Sequence, residues 1–242
     1  MKSLILPDVH LHYKPVERFL HYFEQDYDEI VHLGDHYDKY GDSVAETIET
    51  ALWVKSIINN PKHHFLLSNH DISYRFPNNH YFHGYGFSKE KSDAINAIIT
   101  KEDWKKFKLL HKTQGYYCSH AGITRFAFDD KLADKFLFRR CEEALYNAEI
   151  NLYDKVLGAG KIRGGMQTVG GIIWAHWSNE LKPIPNFKQI VGHTMCSSPL
   201  SEYFPNKKKS VGENHCIDCG GKYYGVIHNG IFSTINIMNL SL

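Results

Sequence analysis

Short apolar runs alternate with amphipathic stretches over the first third of the chain, and this alternation predicts its elements. Residues 3–6 predict a buried strand, stopped by Pro7-Asp8. Residues 15–25 carry Val16, Phe19, Leu20 and Phe23 at helical spacing, with Pro15 in the first turn, where its missing N–H costs nothing. Residues 29–33 predict a second strand, ended by Gly34-Asp35. Residues 43–58 repeat Val44, Ile48, Ala51, Leu52 and Ile58 near helical period, and Asn59-Asn60-Pro61 ends that helix. Residues 64–67 predict a third strand, running into Asn69-His70-Asp71. Strand, helix, strand, helix, strand implies a mainly parallel core.

The later pattern is less regular. Residues 74–87 are rich in aromatics, Asn, His and Gly, show no period and read as a long loop. Residues 88–111 read as one or two helices, with Thr100-Lys101-Glu102-Asp103 as a capped start. Residues 115–119 predict a strand ending at His120, and residues 129–157 read as mostly helical and charged. Residues 158–171 hold six glycines, which predict a loop whose backbone approaches another group closely. Residues 188–192 predict a strand ending at His193. Residues 223–228 and 231–238 read as a closing hairpin around Asn229-Gly230. No internal repeat or low-complexity linker interrupts this order. The expectation is one domain over residues 1–242, with a helical and loop insertion at about 72–114 and a helical region at about 126–160.

Composition narrows the function classes. A chain of 242 residues can bury a sizeable α/β core. The net charge of +1 gives no electrostatic footprint for wrapping duplex nucleic acid, although a local site can still be cationic. The apolar run near the start is too short for a signal-peptide core, and no stretch approaches membrane-spanning length, so a cytoplasmic protein is expected. Five cysteines, an odd number, suggest no disulfide framework. Cys216-Ile217-Asp218-Cys219 is a lone CxxC. A zinc knuckle would need a second pair, for which Cys196 and His193 are the nearby candidates, and free cysteines in or beside a strand are the expected outcome. Histidine is the unusual count, at 16, and His21, His63 and His111 read as surface or ordinary polar contacts.

Five short segments concentrate the chemistry: Asp8-Val9-His10, Gly34-Asp35-His36-Tyr37-Asp38, Asn69-His70-Asp71, Ser119-His120-Ala121-Gly122 and Gly192-His193-Thr194. Each follows a predicted strand, and strand ends in α/β sheets are where ligand sites assemble. Asp8 and His10 alternate along extended chain and can face one cavity. Asp35 adds a carboxylate, Asn69 a neutral amide oxygen, and His120 and His193 imidazole nitrogens, a mixture that suits manganese, iron or zinc better than magnesium or calcium. With Asp35 bridging, one ion would take Asp8, His10 and Asp35, and a second would take Asp35, Asn69, His120 and His193. Two such cations clamp a phosphoryl oxygen and activate a water for in-line attack, without a nucleophilic side chain or an organic cofactor. Helix caps are the plain alternative for Asp8 and Asp35. Five coordinated segments weigh against it.

The arrangement resembles the calcineurin-like metallophosphoesterases, and within them the phosphoprotein-phosphatase branch of protein Ser/Thr phosphatases and bacterial diadenosine tetraphosphatases. The motifs stand in that branch's order, and Ile217 to Gly225 is similar to its terminal strand pair, so the resemblance covers nearly the whole chain. It implies an α/β sandwich of central mixed β-sheets flanked by helices in αββα layers, and two divalent cations, with Mn²⁺ or Fe²⁺ suiting the ligands best and Zn²⁺ an alternative. It also implies that His70 protonates the leaving oxygen and that Asp38 orients it. Lys39 stands where the family has a phosphate-binding arginine, keeping the charge but not the bidentate fork, and Ser68 replaces the usual glycine before Asn69. Arg163, in an Arg-Gly-Gly of the glycine-rich loop, is either a phosphate contact or a structural arginine, and Arg75 is a second candidate. His36 is expected to point away from the metals, and His176 to lie beside the site or on the surface.

The leading expectation is hydrolysis of phosphomonoesters, with a phosphoprotein as the favoured substrate and a dinucleoside polyphosphate of the diadenosine tetraphosphate type as the rival. A phosphodiesterase or nuclease is weakened by the near-zero net charge. A non-catalytic binding protein is weakened by the complete ligand set. The aromatic residues of 74–87 could stack a base or cap a peptide groove, and packing is the plain alternative.

Overall fold

Eleven strands among the described residues form two mixed sheets that pack face to face. The structure, a computed structural model, describes residues 1–204 and 212–240. The sequence reading of Lys207-Lys208-Lys209 as a solvated loop lies outside these residues. The strands are β1 (Lys2–Leu6), β2 (Glu29–His32), β3 (His63–Leu66), β4 (Phe107–Lys108), β5 (His111–Thr113), β6 (Tyr116–Cys118), β7 (Lys188–Val191), β8 (Leu200–Tyr203), β9 (Glu213–Cys216), β10 (Tyr223–His228) and β11 (Ile231–Asn236). The helices are α1 (Tyr13–Phe23), α2 (Val44–Ile57), α3 (Ile72–Arg75), α4 (Lys89–Ile98), α5 (Lys101–Trp104) and α6 (Asp134–Glu149).

The first sheet runs β11-β10-β1-β2-β3-β4 and the second β5-β6-β7-β9-β8. β1 to β4 are mutually parallel, as are β6, β7 and β9, while the hairpin β10-β11 and strands β5 and β8 add antiparallel edges. Side-chain alternation sorts the core. Ile5, Val31 and Leu66 of the first sheet meet Tyr116, Cys118 and Ile190 of the second in the dry space between them. Leu4, Leu6, Ile30 and Phe65 face outward into a larger cluster with Phe19 of α1, Val54 of α2 and Ile95 of α4. Phe19 sits edge-on to Tyr224 of β10, with ring centroids 4.9 Å apart. α6 is tied to the second sheet through Asp134, which accepts from Lys112 (2.5 Å) and from the Tyr117 hydroxyl.

The α/β class, the parallel start and the hairpin agree with the sequence reading, with strand and helix ends shifted by one or two residues. Ser43 caps α2 through a reciprocal box with Glu46, and Thr100 caps α5 with Asp103. Three expectations are corrected. Residues 107–108 and His111, which opens β5, are strand rather than helix end, because Phe107 is drawn into the core at the edge of β3. The helix expected over 129–157 is confined to Asp134–Glu149, since Asp129, Asp130 and Asn151 take positive φ on either side. β8 and β9 were not expected at all. β9 buries Asn214 and His215, so it shows no apolar run.

Candidate metal centre

Both sheets end at the same edge of the molecule, and the five motif segments converge there. Asp8 and His10 follow β1, Asp35 follows β2, Asn69 and His70 follow β3, His120 follows β6 and His193 follows β7. His10, Asp35 and His193 have φ of 42°, 51° and 64°, a left-handed conformation rare for residues with a Cβ and concentrated at functional sites. Gly192 allows a close approach. A Cβ there would lie 1.9 Å from Asp8 Oδ1. Gly34, at φ 121°, turns β2 sharply into the site.

Asp35 lies between two groups of side chains. Its Oδ2 is 3.2 Å from His10 Nε2 and its Oδ1 is 3.5 Å from His120 Nε2. His120 Nε2 is 2.7 Å from Asn69 Oδ1 and 3.1 Å from His193 Nδ1. Asp8 accepts the His193 backbone N–H at 2.8 Å. Donor atoms of Asp8, Asp35 and His120 lie within 4.8 Å of one another, as do those of His10, Asp38 and His70, and Asn69 and His193 border His120.

This set has the chemistry of a cation site. His120 Nδ1 donates to the Leu33 carbonyl at 2.9 Å, so the neutral ring turns Nε2 as a bare acceptor toward the Asn69 and Asp35 oxygens. Burial holds His120 below its usual range and His193 well below it, His120 adding to the shift of His193. Asp8 is pushed well up by burial and by the carboxylates of Asp218 and Asp35. Burial opposes charge on His10, yet Asp35 and Asp8 outweigh it and raise the group to about 11. Asp8 Oδ1, Asp35 Oδ1 and His193 Nε2 are buried with no hydrogen-bond partner among the described residues. Crowded carboxylates, bare imidazole nitrogens and orphaned oxygens fit divalent cations.

A second constellation adjoins the first. His70 Nδ1 is hydrogen-bonded to Asp38 Oδ1, and Tyr74 donates its hydroxyl to Asp38 Oδ2 at 2.7 Å. Burial alone would depress His70, but Asp35 and the Asp38 bond raise it to about 9. Its ring lies edge-on to His10 at 5.1 Å between centroids. Arg163 lines the same cavity as Asp35, Asn69 and His70, and its Nη2 donates to Thr194 Oγ1 at 3.2 Å.

The other residues singled out in the sequence have different partners. Lys39 lines a hollow with Asp8, His10 and His70, and its Nζ is 3.0 Å from the Glu46 carboxylate. Arg75 is half-buried, donates to the Phe107 carbonyl at 2.8 Å and does not line that cavity. His36 turns to Asp71 at 2.7 Å, away from the ligand set as expected, and His176 donates its backbone N–H to Glu180. All five cysteines are free, with Cys196 and Cys219 sulfurs 3.2 Å apart. Two residues escaped the sequence reading. Tyr74 looked like part of an aperiodic loop, and Asp218 lay inside the CxxC, although carboxylate spacing from Asp8 is invisible without the fold.

The chain belongs to the calcineurin-like phosphoesterase family, whose sequence profile matches residues 1–197. It is therefore a hydrolase acting on phosphoester bonds, in a family that typically depends on two metals. Among solved structures it is similar to the cold-active protein-tyrosine phosphatase of a psychrophilic Shewanella species, at 18% identity over 97% of this chain and 80% of that one, with a TM-score of 0.57. It is also similar to a provisionally assigned diadenosine tetraphosphatase, at 12% identity over 97% of this chain and 93% of that one, with a TM-score of 0.50. Both share the fold. No curated protein sequence is similar enough to match. No helix among the described residues is long and apolar enough to cross a membrane.

Proposed function

We propose that this chain is a phosphomonoesterase dependent on two divalent cations, acting on phosphorylated proteins or peptides. The observation that carries the reading is the His70–Asp38–Tyr74 chain, whose His70 and Asp38 line one cavity with His10, Asp35, Asn69 and His193. Asp8, His10 and Asp35 would hold one cation, and Asp35, Asn69, His120 and His193 the other. Bound there, the cations would supply Lewis-acid polarisation of the phosphoryl group and of the attacking water, a role that manganese or iron suits best.

The remaining steps belong to side chains. Arg163 pairs with the non-bridging phosphoryl oxygens, its loop held by the backbone bonds that flank Gly164 and Gly165. His70, charged below about pH 9, donates the proton from Nε2 to the leaving oxygen. Asp38 keeps the Nδ1 proton in place and so selects the tautomer that can act. Tyr74 fixes Asp38 in turn. The alternative substrate, a dinucleoside polyphosphate, is favoured by one feature. The exposed rings of Tyr40 and Tyr85 stack at 5.7 Å between centroids near the cavity mouth, where a base could join them.

Hydrolysis of p-nitrophenyl phosphate, its bis-ester, diadenosine tetraphosphate and phosphopeptides, each with Mn²⁺ and with EDTA, tests the reading. Metal-dependent turnover of monoesters and phosphopeptides is expected. Turnover confined to the dinucleotide would transfer the function to the second reading, and turnover that persists in EDTA and in Asp35→Asn would overturn both.

A further inference from the structure

The opposite end of the sheets holds a separate cluster that the catalytic chemistry does not use. Glu29 opens β2, His64 lies near the start of β3 and His111 opens β5. Asp35 lies beyond the far end of β2 from Glu29, and the strand alone separates the two ends by about 10 Å. Glu29 Oε2 is 3.1 Å from His111 Nε2 and 3.6 Å from His64 Nε2, and one donor atom from each residue falls within 4.8 Å of the other two. A tetrahedral ion with bonds of about 2.05 Å sets its ligands about 3.3 Å apart, between these two separations.

We propose that Glu29, His64 and His111 form a second, single-ion site for a nitrogen-preferring divalent cation, with zinc the best match, clipping the two sheets together. Two imidazoles and one carboxylate are a known three-residue ligand set for zinc, leaving a fourth position for water. The carboxylate is already aimed. Its other oxygen accepts from Ser3 Oγ at 2.6 Å and from Thr113 Oγ1, so Oε2 is left for the two histidines. The His64 and His111 rings stack, with centroids 4.2 Å apart and planes 21° from parallel, which brings both Nε2 atoms to the same oxygen. The His64 side chain is 38% exposed, which opens a path for the ion from solvent. Lys106 and Lys108 line the same hollow, and the Lys106 ammonium is turned away to Asn59. Glu29 and His64 belong to the first sheet and His111 to the second, so one ion would link β2, β3 and β5.

The test saturates the full chain with Zn²⁺ while Mn²⁺ is kept in excess, then counts zinc after desalting in the wild type, His64→Ala and His111→Ala. One zinc fewer per chain is expected in each variant, with phosphoester turnover unchanged and the thermal transition insensitive to zinc only in the variants. Anomalous diffraction at the zinc edge of wild-type crystals needs no variant and should show a peak among the three side chains. Equal zinc content in all three proteins, or crystals with zinc elsewhere and none between Glu29, His64 and His111, would overturn the proposal.

Discussion

Asp38 grips His70 with one carboxylate oxygen and is gripped by Tyr74 through the other. Removing the acid by His70→Asn is expected to lower kcat by about 10²–10⁴-fold for an alkyl phosphate, the range of a positioned general acid, and by less for an aryl phosphate whose leaving group departs unaided. The sign of the pH dependence follows from the raised proton affinity. In the proposed role of His70 the protonated form is the active one, so kcat/KM should fall as pH rises past a value at or below about 9, since bound cations would offset the pull of Asp35. Asp38→Asn removes that hold and should move the falling limb to lower pH. At Gly192 the added methyl of Gly192→Ala would meet Asp8 Oδ1, displacing a ligand. A loss of about 10–100-fold in metal affinity, read by titration calorimetry, is expected from a disturbed ligand shell. The ligand candidates were legible because each is a hard or borderline donor just beyond a strand. The aim of a long side chain was not. Arg75 and Arg163 look alike in the sequence, and only packing sends one to the Phe107 carbonyl and the other into the cavity.

The hairpin of β10 and β11 was legible down to its turn. Asn229 and Gly230 take φ of 52° and 76°, the paired left-handed geometry that a two-residue turn with matching twist requires. Gly230→Ala is expected to cost about 1–2 kcal/mol, the penalty of a Cβ in that region, measurable as a lower urea midpoint without a change in slope. β1 to β3 were legible for a different reason, since each carries two or three consecutive apolar residues before a polar turn, as strands of a covered parallel sheet do. β4, β5, β8 and β9 were not. They have two to four residues each, and their pairing rests on register with neighbours distant in sequence. The glycines of 158–171 were rightly read as a close-approach loop. Lys161–Arg163 forms a single 3₁₀ turn there, placing Arg163 at its end.

Across the whole molecule, charge is stored between the sheets as well as at their catalytic edge. Burial alone would raise Glu29, but hydrogen bonds from His111, Ser3 and Thr113 hold it at about 2. Its contribution is present above the ordinary carboxylate value near 4.5 and is lost as pH falls toward 2. The stability gap between wild type and Glu29→Gln, from urea titrations at several pH values, should therefore be widest near neutrality and close below pH 3. The catalytic edge has a wider reach. Its candidate ligands run from Asp8 to His193 and come from both sheets, so an unfolded chain cannot offer them together. Cations that bind there bind the folded state alone, and a free concentration about 100 times Kd adds about 2.7 kcal/mol. Chelation should lower Tm by about 5–10 °C for a chain of this size. That linkage would make metal supply a control on lifetime: starvation for the ion would open the chain to proteases, and abundance would fall along with activity.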